Sequence, residues 1–554
     1  MSTLPIRPGH LCLGLLLGGG LVAGAVRAQD ARATGGSAMI PPATTTAASP
    51  VTPPGTGFSL GVPVPGEPDW AQIAIEQEAA MAAGEPPAAA AGGAGTTAAG
   101  APAGAMRQPR AAGVTRPADD LGPPGALLQL DLSQGLSWSD NPDLLEIEPS
   151  RDTIVSETML GLSYEATTRV SRLNFGLSGT FEAGDMPQEK SSGQITARAA
   201  NLGYQRQGPN SLLQFDTRMQ RNRASGDVVF DDFTGEDLVV SGGDRETLQA
   251  GGGLQLGIEG PLGASLSGSY SQTRYFDTPT DTAGHDRYSL DAETRLQLAP
   301  VTNLFVTSGI SRDERDDERN YTTEDRFYGI GVGHELSAGT RLRFDLRQTE
   351  IETSETLPDG SRSTETESGA GVILDVSTDR PNGTLGLGFS SLLYDTSRRE
   401  TLSLSRNLET RGGSVLALSL GATHSENGIN PAVTAEWIHE GKRDRFAANL
   451  SQQVGGDEDT EVLRTSLGLS WDRELTQLST LGASVSLADS SPTSDDGDQS
   501  RRTTFTLDYT HDLTEDWAMA ASLSHRKIES DSEDDRSNNT LFLGLERSFK
   551  RRLR

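Results

Sequence analysis

The run DTIVSETMLGLSYEATTRVSRLNFGLSGTFE, from Asp152 through Glu182, decides the fold. Ile154, Ser156, Thr158, Leu160, Leu162 and Tyr164 share one face of an extended chain, and Glu157, Gly161, Ser163 and Glu165 share the other. That period of two belongs to a β-strand. Past Thr167-Thr168-Arg169-Val170 the pattern restarts, with Leu173, Phe175, Leu177, Gly179 and Phe181 opposite Arg172, Asn174, Ser178 and Glu182. Two such runs around a short polar turn predict a β-hairpin. The same order of strand, acidic loop, strand and short turn recurs to Phe549. An all-β chain this repetitive is expected to close into a barrel.

Composition narrows the class. Of 554 residues only 34% are hydrophobic, and the net charge is −30. A soluble protein of this length would carry more core residues. Two readings fit: a disordered acidic chain, or a transmembrane barrel whose apolar side chains occupy alternate positions. The sustained alternation selects the barrel. The acidic balance speaks against nucleic acid as a partner, since phosphate binding needs basic patches.

Residues 1–28 read as a secretory signal, with Arg7 before an apolar run and Val26-Arg27-Ala28 at the cleavage site. The single cysteine, Cys12, lies inside it, so the mature chain is expected to hold no disulfide and no cysteine metal site. Residues 29–125 form an Ala/Pro/Gly-rich periplasmic linker that cannot bury a core, broken by a short helix expected over 69–83. That helix reads as transient, as a docking element for a periplasmic partner, or as a small insert in the barrel mouth. No later segment is long and apolar enough to span a membrane as a helix.

Residues 126–554 are expected to form a single antiparallel transmembrane barrel of about 22 strands, within a range of roughly 18 to 24. Short connections at 167–171, 207–210, 260–263, 300–302, 337–339 and 379–383 alternate with hydrophilic ones at 141–151, 183–192, 222–245, 277–286, 313–324 and 352–364. The alternation continues to the end of the chain. It predicts short periplasmic turns, longer acidic outer loops, and both termini on the periplasmic side. Tyr164, Tyr204, Trp437, Trp471, Trp517 and Phe549 fall on the apolar face beside short turns, and Trp138 beside a longer loop, as an aromatic girdle would.

On the opposite face, charges of both signs crowd the strands: Asp216 with Arg218, Asp291 and Glu293 with Arg295, and Arg341, Arg343, Asp345 and Arg347. These are the expected pore-lining residues. Either they pair and tie strands together, or they set up a transverse field that selects polar solutes. The long loop 222–245 carries Val228, Val229, Phe230, Phe233, Leu238, Val239 and Val240, unusually apolar for a solvated loop, and is expected to fold inward as a constriction or cap. Gly251-Gly252-Gly253 lies mid-strand, where a bulge or a close approach explains it. His285-Asp286 and His511-Asp512 are adjacent in sequence, which does not make a nucleophile and base. The acidic loops lack the ligand spacing of a calcium loop. No catalytic residue, metal site or cofactor is therefore expected, and the chain reads as no enzyme.

Trp138-Ser139-Asp140-Asn141-Pro142, Thr401-Leu402-Ser403-Leu404-Ser405-Arg406-Asn407-Leu408, Asp512-Leu513-Thr514-Glu515-Asp516-Trp517 and the closing Leu541-Phe542-Leu543-Gly544-Leu545-Glu546-Arg547-Ser548-Phe549 carry a resemblance. The chain resembles the type 2 β-barrel porin family of Gram-negative outer membranes, which includes barrels encoded near exopolysaccharide export systems. The resemblance implies outer-membrane lipid and lipopolysaccharide as surroundings, and the barrel assembly machinery as a partner that reads the last strand. It also implies a polysaccharide or a periplasmic export partner. The closing signal departs from the usual pattern, because Lys550-Arg551-Arg552-Leu553-Arg554 follow Phe549. A TonB-dependent receptor would share the strand number, but residues 29–124 are too poor in hydrophobic side chains for a folded plug. The function expected from the sequence is thus a passive porin-like channel for small polar solutes or an exported polysaccharide. The alternative is a non-conducting surface barrel with an adhesive or envelope-organising role.

Overall fold

The computed structural model describes residues 124–553, apart from 143, 145–151, 185–192, 224–226, 232–235, 241–242, 278–283, 317–319, 358–359, 395–396, 411–412, 456–460, 494–498 and 531–534. The expected signal sequence and the linker up to residue 123, with its helix at 69–83, lie outside the described residues.

The described chain is β-strand joined by turns and loops. In order the strands are β1 (Gly125–Ser139), β2 (Thr153–Thr167), β3 (Ser171–Gly184), β4 (Gly193–Gly208), β5 (Ser211–Arg223), β6 (Asp227–Asp231), β7 (Glu236–Val240) and β8 (Asp244–Leu256). Next come β9 (Leu262–Phe276), β10 (Gly284–Ala299), β11 (Thr302–Asp316), β12 (Thr322–Ser337), β13 (Thr340–Thr356), β14 (Arg362–Arg380), β15 (Gly383–Tyr394) and β16 (Ser397–Glu409). The last are β17 (Ser414–Ser425), β18 (Gly428–Glu440), β19 (Asp444–Gly455), β20 (Val462–Glu474), β21 (Ser479–Pro492), β22 (Ser500–Asp512), β23 (Trp517–Ser530) and β24 (Arg536–Leu553).

All but β6 and β7 belong to one 22-stranded antiparallel sheet. It has no free edge, because β24 pairs with β1 from Ala126↔Leu553 to Ser139↔Thr540. In hydrocarbon each unpaired backbone N–H or C=O costs several kcal/mol, so a sheet that crosses a bilayer must close this way. The all-β, single-barrel expectation and its strand number hold.

The alternation read from the sequence sorts the side chains by face. Along β1, Leu130, Leu132 and Leu136 are exposed while Gln129, Ser133 and Ser137 are buried. A soluble fold would do the reverse. The exposed stripe continues through Ile154 and Leu160 on β2, Phe215 and Met219 on β5, Val306 on β11 and Leu346 on β13. A closed barrel with an apolar outer face is the architecture of an outer-membrane barrel.

The strands are longer than the sequence suggested. β14 has 19 residues and even the short β15 has 12, against the roughly 9–11 that a bilayer requires. Much of the expected loops 313–324 and 352–364 is therefore strand projecting beyond the apolar band. On β11 the outward positions change from Val306, Ser308 and Ile310 to Arg312 and Glu314, which marks where the band ends. The 222–245 segment contains strands of its own: β6 and β7 pair as a separate hairpin, from Asp227↔Val240 to Asp231↔Glu236. The glycine run in β8 causes no register shift. It is a close approach, since a Cβ on Gly251 would stand 3.1 Å from Asp216 Oδ1.

The closing seam is packed from inside by Phe542, which is 2% exposed. Its ring lies where a side chain on Gly135 or Gly544 would stand. Beside it, at the long-loop end, Asn539 Nδ2 donates to Asp140 Oδ2 at 2.6 Å and Asn141 Nδ2 to the Ser537 carbonyl at 3.1 Å. Leu144, 1% exposed, meets the inward Ile528 of β23 just above these bonds.

Candidate functional site: the charged inner wall of β10 to β14

The inner wall is most elaborate where β10, β11, β12, β13 and β14 lie side by side. Alternation sends Asp291, Glu293 and Arg295 inward from β10, and Arg341, Arg343, Asp345 and Arg347 inward from β13. Between them, the inward positions of β11 and β12 include Phe305, Gly309, Phe327, Gly329, Gly331 and Gly333. The glycines leave the wall bare, so long side chains can lie flat along it.

Two layered stacks result. A Cβ on Gly333 would come 2.7 Å from Phe305 Cε2, so the ring rests directly on the glycine backbone. The Arg343 guanidinium covers the other side of that ring, 4.6 Å from its centroid. In the second stack the Phe327 ring occupies the place of a side chain on Gly309. Arg347 lies over Phe327, again at 4.6 Å. Such cation–π contacts contribute about 0.5–2 kcal/mol each, the larger values where water is excluded.

Carboxylates link the stacks. Arg343 Nη2 donates to Glu293 Oε2 at 2.7 Å. Asp345, 1% exposed, lies between the guanidinium groups, 3.9 Å from Arg343 and 3.7 Å from Arg347. Arg341 donates to Asp379 Oδ2 on β14 at 3.2 Å, and Arg295 Nη2 donates to the Ile258 carbonyl at 2.9 Å. Seven of the nine residues picked from the sequence therefore share one wall. Asp216 and Arg218 stand apart on β5, separated from β10 by β8 and β9. Sequence reading missed the two phenylalanines, the glycines beneath them and Asp379. The interior spacing of Phe and Gly on β11 and β12 was the available signal.

Charge pairing also reaches above the apolar band. Arg287 donates to Asp313 Oδ2 from Nε at 2.9 Å and from Nη2 at 2.6 Å, and His285 Nε2 lies 3.1 Å from Asp313 Oδ1. Burial opposes ionisation of Asp313, but Arg287 and His285 together outweigh it and hold the carboxyl well below the usual range. Farther round the same rim Glu461, its side chain 2% exposed, accepts from Ser425 Oγ at 2.9 Å and lies 3.7 Å from Arg399 Nε. This contact ties β16 and β17 to the entry of β20.

The outward aromatic residues cluster beside short turns. Trp437, Phe446 and Trp471 on β18, β19 and β20 form a row of rings with centroids 6.3 and 6.4 Å apart. Arg547 lies 5.1 Å from the Trp517 ring and 4.3 Å from the Phe549 ring. Tyr164 pairs in register with Phe175, and Tyr204 with Phe215. Trp138 stands at the other end, opposite Ile154 and Leu541. Three outward histidines share one device at the short-turn end: His334, His439 and His511 hold Thr302, Ser414 and Ser479 through Nδ1 at 2.9, 2.6 and 2.8 Å. Among the described residues no group of three or more His, Cys, Asp or Glu is placed to hold a metal ion.

The fold defines a class, the closed 22-stranded transmembrane β-barrel. Solved structures that resemble the chain include the FrpB iron transporter from Neisseria meningitidis, with 11% identity, a TM-score of 0.50, and coverage of 78% of this chain and 84% of that one. Others are the siderophore receptor PirA from Acinetobacter baumannii (9% identity, TM-score 0.47, 77% and 81% covered) and the ferric-catecholate import receptor Fiu from E. coli K12 (10%, 0.47, 76% and 81%). Identities this low establish likeness of fold alone. No family model matches the chain, and no curated protein does. The resemblance to type 2 porins and exopolysaccharide-associated barrels therefore extends no further than the barrel.

These findings correct the function expected from the sequence. Diffusion porins close with 16–18 strands, whereas 22 is the number of outer-membrane transporters with a plugged lumen. The barrel matched at a TM-score of 0.50 is that of an iron transporter. Passive diffusion of polar solutes or polysaccharide is set aside, and so is a purely adhesive surface barrel.

Proposed function

We propose that the chain is a receptor-type outer-membrane transporter for a bulky polar solute, with iron chelates as the first class to test. The observation that carries this reading is the closed sheet of 22 strands. The likeness to the barrel of the FrpB iron transporter suggests the solute class. Short turns then face the periplasm, as do both ends of the barrel chain, and the long connections face outward. The wall bearing Arg341, Arg343, Asp345, Arg347, Asp291, Glu293 and Arg295 lines the passage, with Asp216 and Arg218 farther round. It serves as a pre-paired polar surface for a bound solute, and the row from Trp437 to Trp471 anchors the barrel in the lipid interface. Lipopolysaccharide surrounds the outer half, and the assembly machinery acts on β24.

The test compares two readouts. Cells with and without the chain are supplied with radioactive iron as several chelates, and the full chain in liposomes is tested for swelling in small sugars. Saturable uptake of a chelate with no swelling supports the proposal. Rapid swelling without saturable uptake of any chelate overturns it.

A further inference from the structure

On the lipid-facing side of the wall, at the long-loop end, Arg198 is a cation with no counter-charge among the described residues. At the long-loop end of β3, β4 and β5, the register places Arg198 outward between Gly179 and Arg221. Like charges directly opposite on paired strands repel. Arg221 is already committed: its Nε donates to Asp244 at 2.9 Å, Glu246 lies at 3.9 Å, and its guanidinium sits 4.4 Å from the Phe276 ring centroid. Arg198 is exposed and has no ion-pair, hydrogen-bond or ring partner among the described residues.

The surroundings are apolar. Leu177, Phe181, Ile195 and Met219 are 44%, 46%, 59% and 44% exposed on the same outward face. Gly179 leaves a notch beside the guanidinium, since a Cβ there would find nothing nearer than the Ala197 carbonyl at 3.7 Å. A bare guanidinium at the edge of hydrocarbon is costly, so it must reach the polar headgroups and meet an anion there. A guanidinium binds phosphate through two parallel hydrogen bonds.

We infer that Arg198 and Arg221 form a docking site for the phosphate of a phosphorylated glycolipid in the outer leaflet. Its acyl chains lie along Leu177, Ile195 and Met219. Arg221 is held rigid by its carboxylates and Phe276, and Arg198 supplies the unspent charge. The inference rests on the outward orientation of the long-loop end proposed above, and is independent of the solute carried.

The test uses the full chain in detergent, with its melting midpoint followed against added lipid A, dephosphorylated lipid A and phosphatidylglycerol. Lipid A is expected to raise the midpoint, and dephosphorylated lipid A is not. Arg198→Gln and Arg221→Gln should each raise the lipid A concentration required by about tenfold, and Arg198→Lys should restore part of the loss. Heat-modifiable gel migration confirms that each variant is folded. An unchanged response in both glutamine variants overturns the site, and an equal response to phosphatidylglycerol overturns the glycolipid as its occupant. Impermeant maleimide labelling of Leu357→Cys on intact cells reads the orientation separately, so a reversed barrel is distinguished from a missing lipid site.

Discussion

Arg343 leaves β13, crosses the two intervening strands and places Nη2 2.7 Å from Glu293 Oε2 on β10. The reach requires an inner wall with nothing standing in its way, and Gly333 with the flattened Phe305 ring provides it. The pair thus joins strands that share no backbone hydrogen bond.

Both members are partly exposed, at 39% and 31%, so their coupling is modest. A double-mutant cycle on Arg343→Gln and Glu293→Gln should give about 0.5–1 kcal/mol in urea titrations of the detergent-solubilised barrel. Arg343→Glu should cost more than Arg343→Gln, because it faces both Glu293 and Asp345.

Gly309→Val should lower stability by about 1–3 kcal/mol, by driving the Phe327 ring off the wall. Loss of that ring also leaves Arg347 without its stack. Adding Phe327→Ala to Gly309→Val should cost less than the sum of the single changes, a non-additivity readable in the same titrations.

Acid should weaken the rim at Asp313. Its folded pKa is depressed, so the carboxylate's contribution is fully present above the unfolded value near 4 and fades as pH falls toward the folded one. Asp313→Asn should cost about 1–3 kcal/mol at neutral pH, where it strips Arg287 of its acceptor. The gap between wild type and variant should narrow steadily below about pH 4. A gap that widens there would contradict the assignment.

Phe446→Ala should remove the middle ring between Trp437 and Trp471 and cost about 1–3 kcal/mol, combining two lost ring contacts with lost apolar area. Intrinsic tryptophan fluorescence should report it, with emission shifted as the two indoles lose their shared neighbour.

Much of this architecture is legible in residue order, because lipid outside and polar groups inside impose a period of two on every strand. The template from Ile154 to Phe181 lies in β2 and β3 with its faces as read. What period two cannot show is a bulge. The register shift beside Phe181 lets Ile195 and Arg198, one odd and one even, face the same way. The layered stacks escaped for a different reason. Phe327 and Gly309 meet across neighbouring strands, so the inward Phe and Gly spacing on β11 and β12 hints at them only once the strands are paired. The β6–β7 hairpin did leave a signal, in the apolar runs Val228-Val229-Phe230 and Leu238-Val239-Val240, but its place inside a long hydrophilic connection masked it. Function was the least legible, since the strand number could be counted while its meaning was assigned to porins.

The seam between β1 and β24 sets the order in which the molecule can assemble. Each hairpin with a connection of a few residues forms from neighbours in sequence, whereas Ala126 and Leu553 meet only after the whole barrel chain has been delivered. Until that moment both end strands are open edges, able to pair with any other chain. The last contact to form is therefore the one that turns a sticky ribbon into a finished barrel, and Phe542, seated against Gly135 across that junction, is the latch.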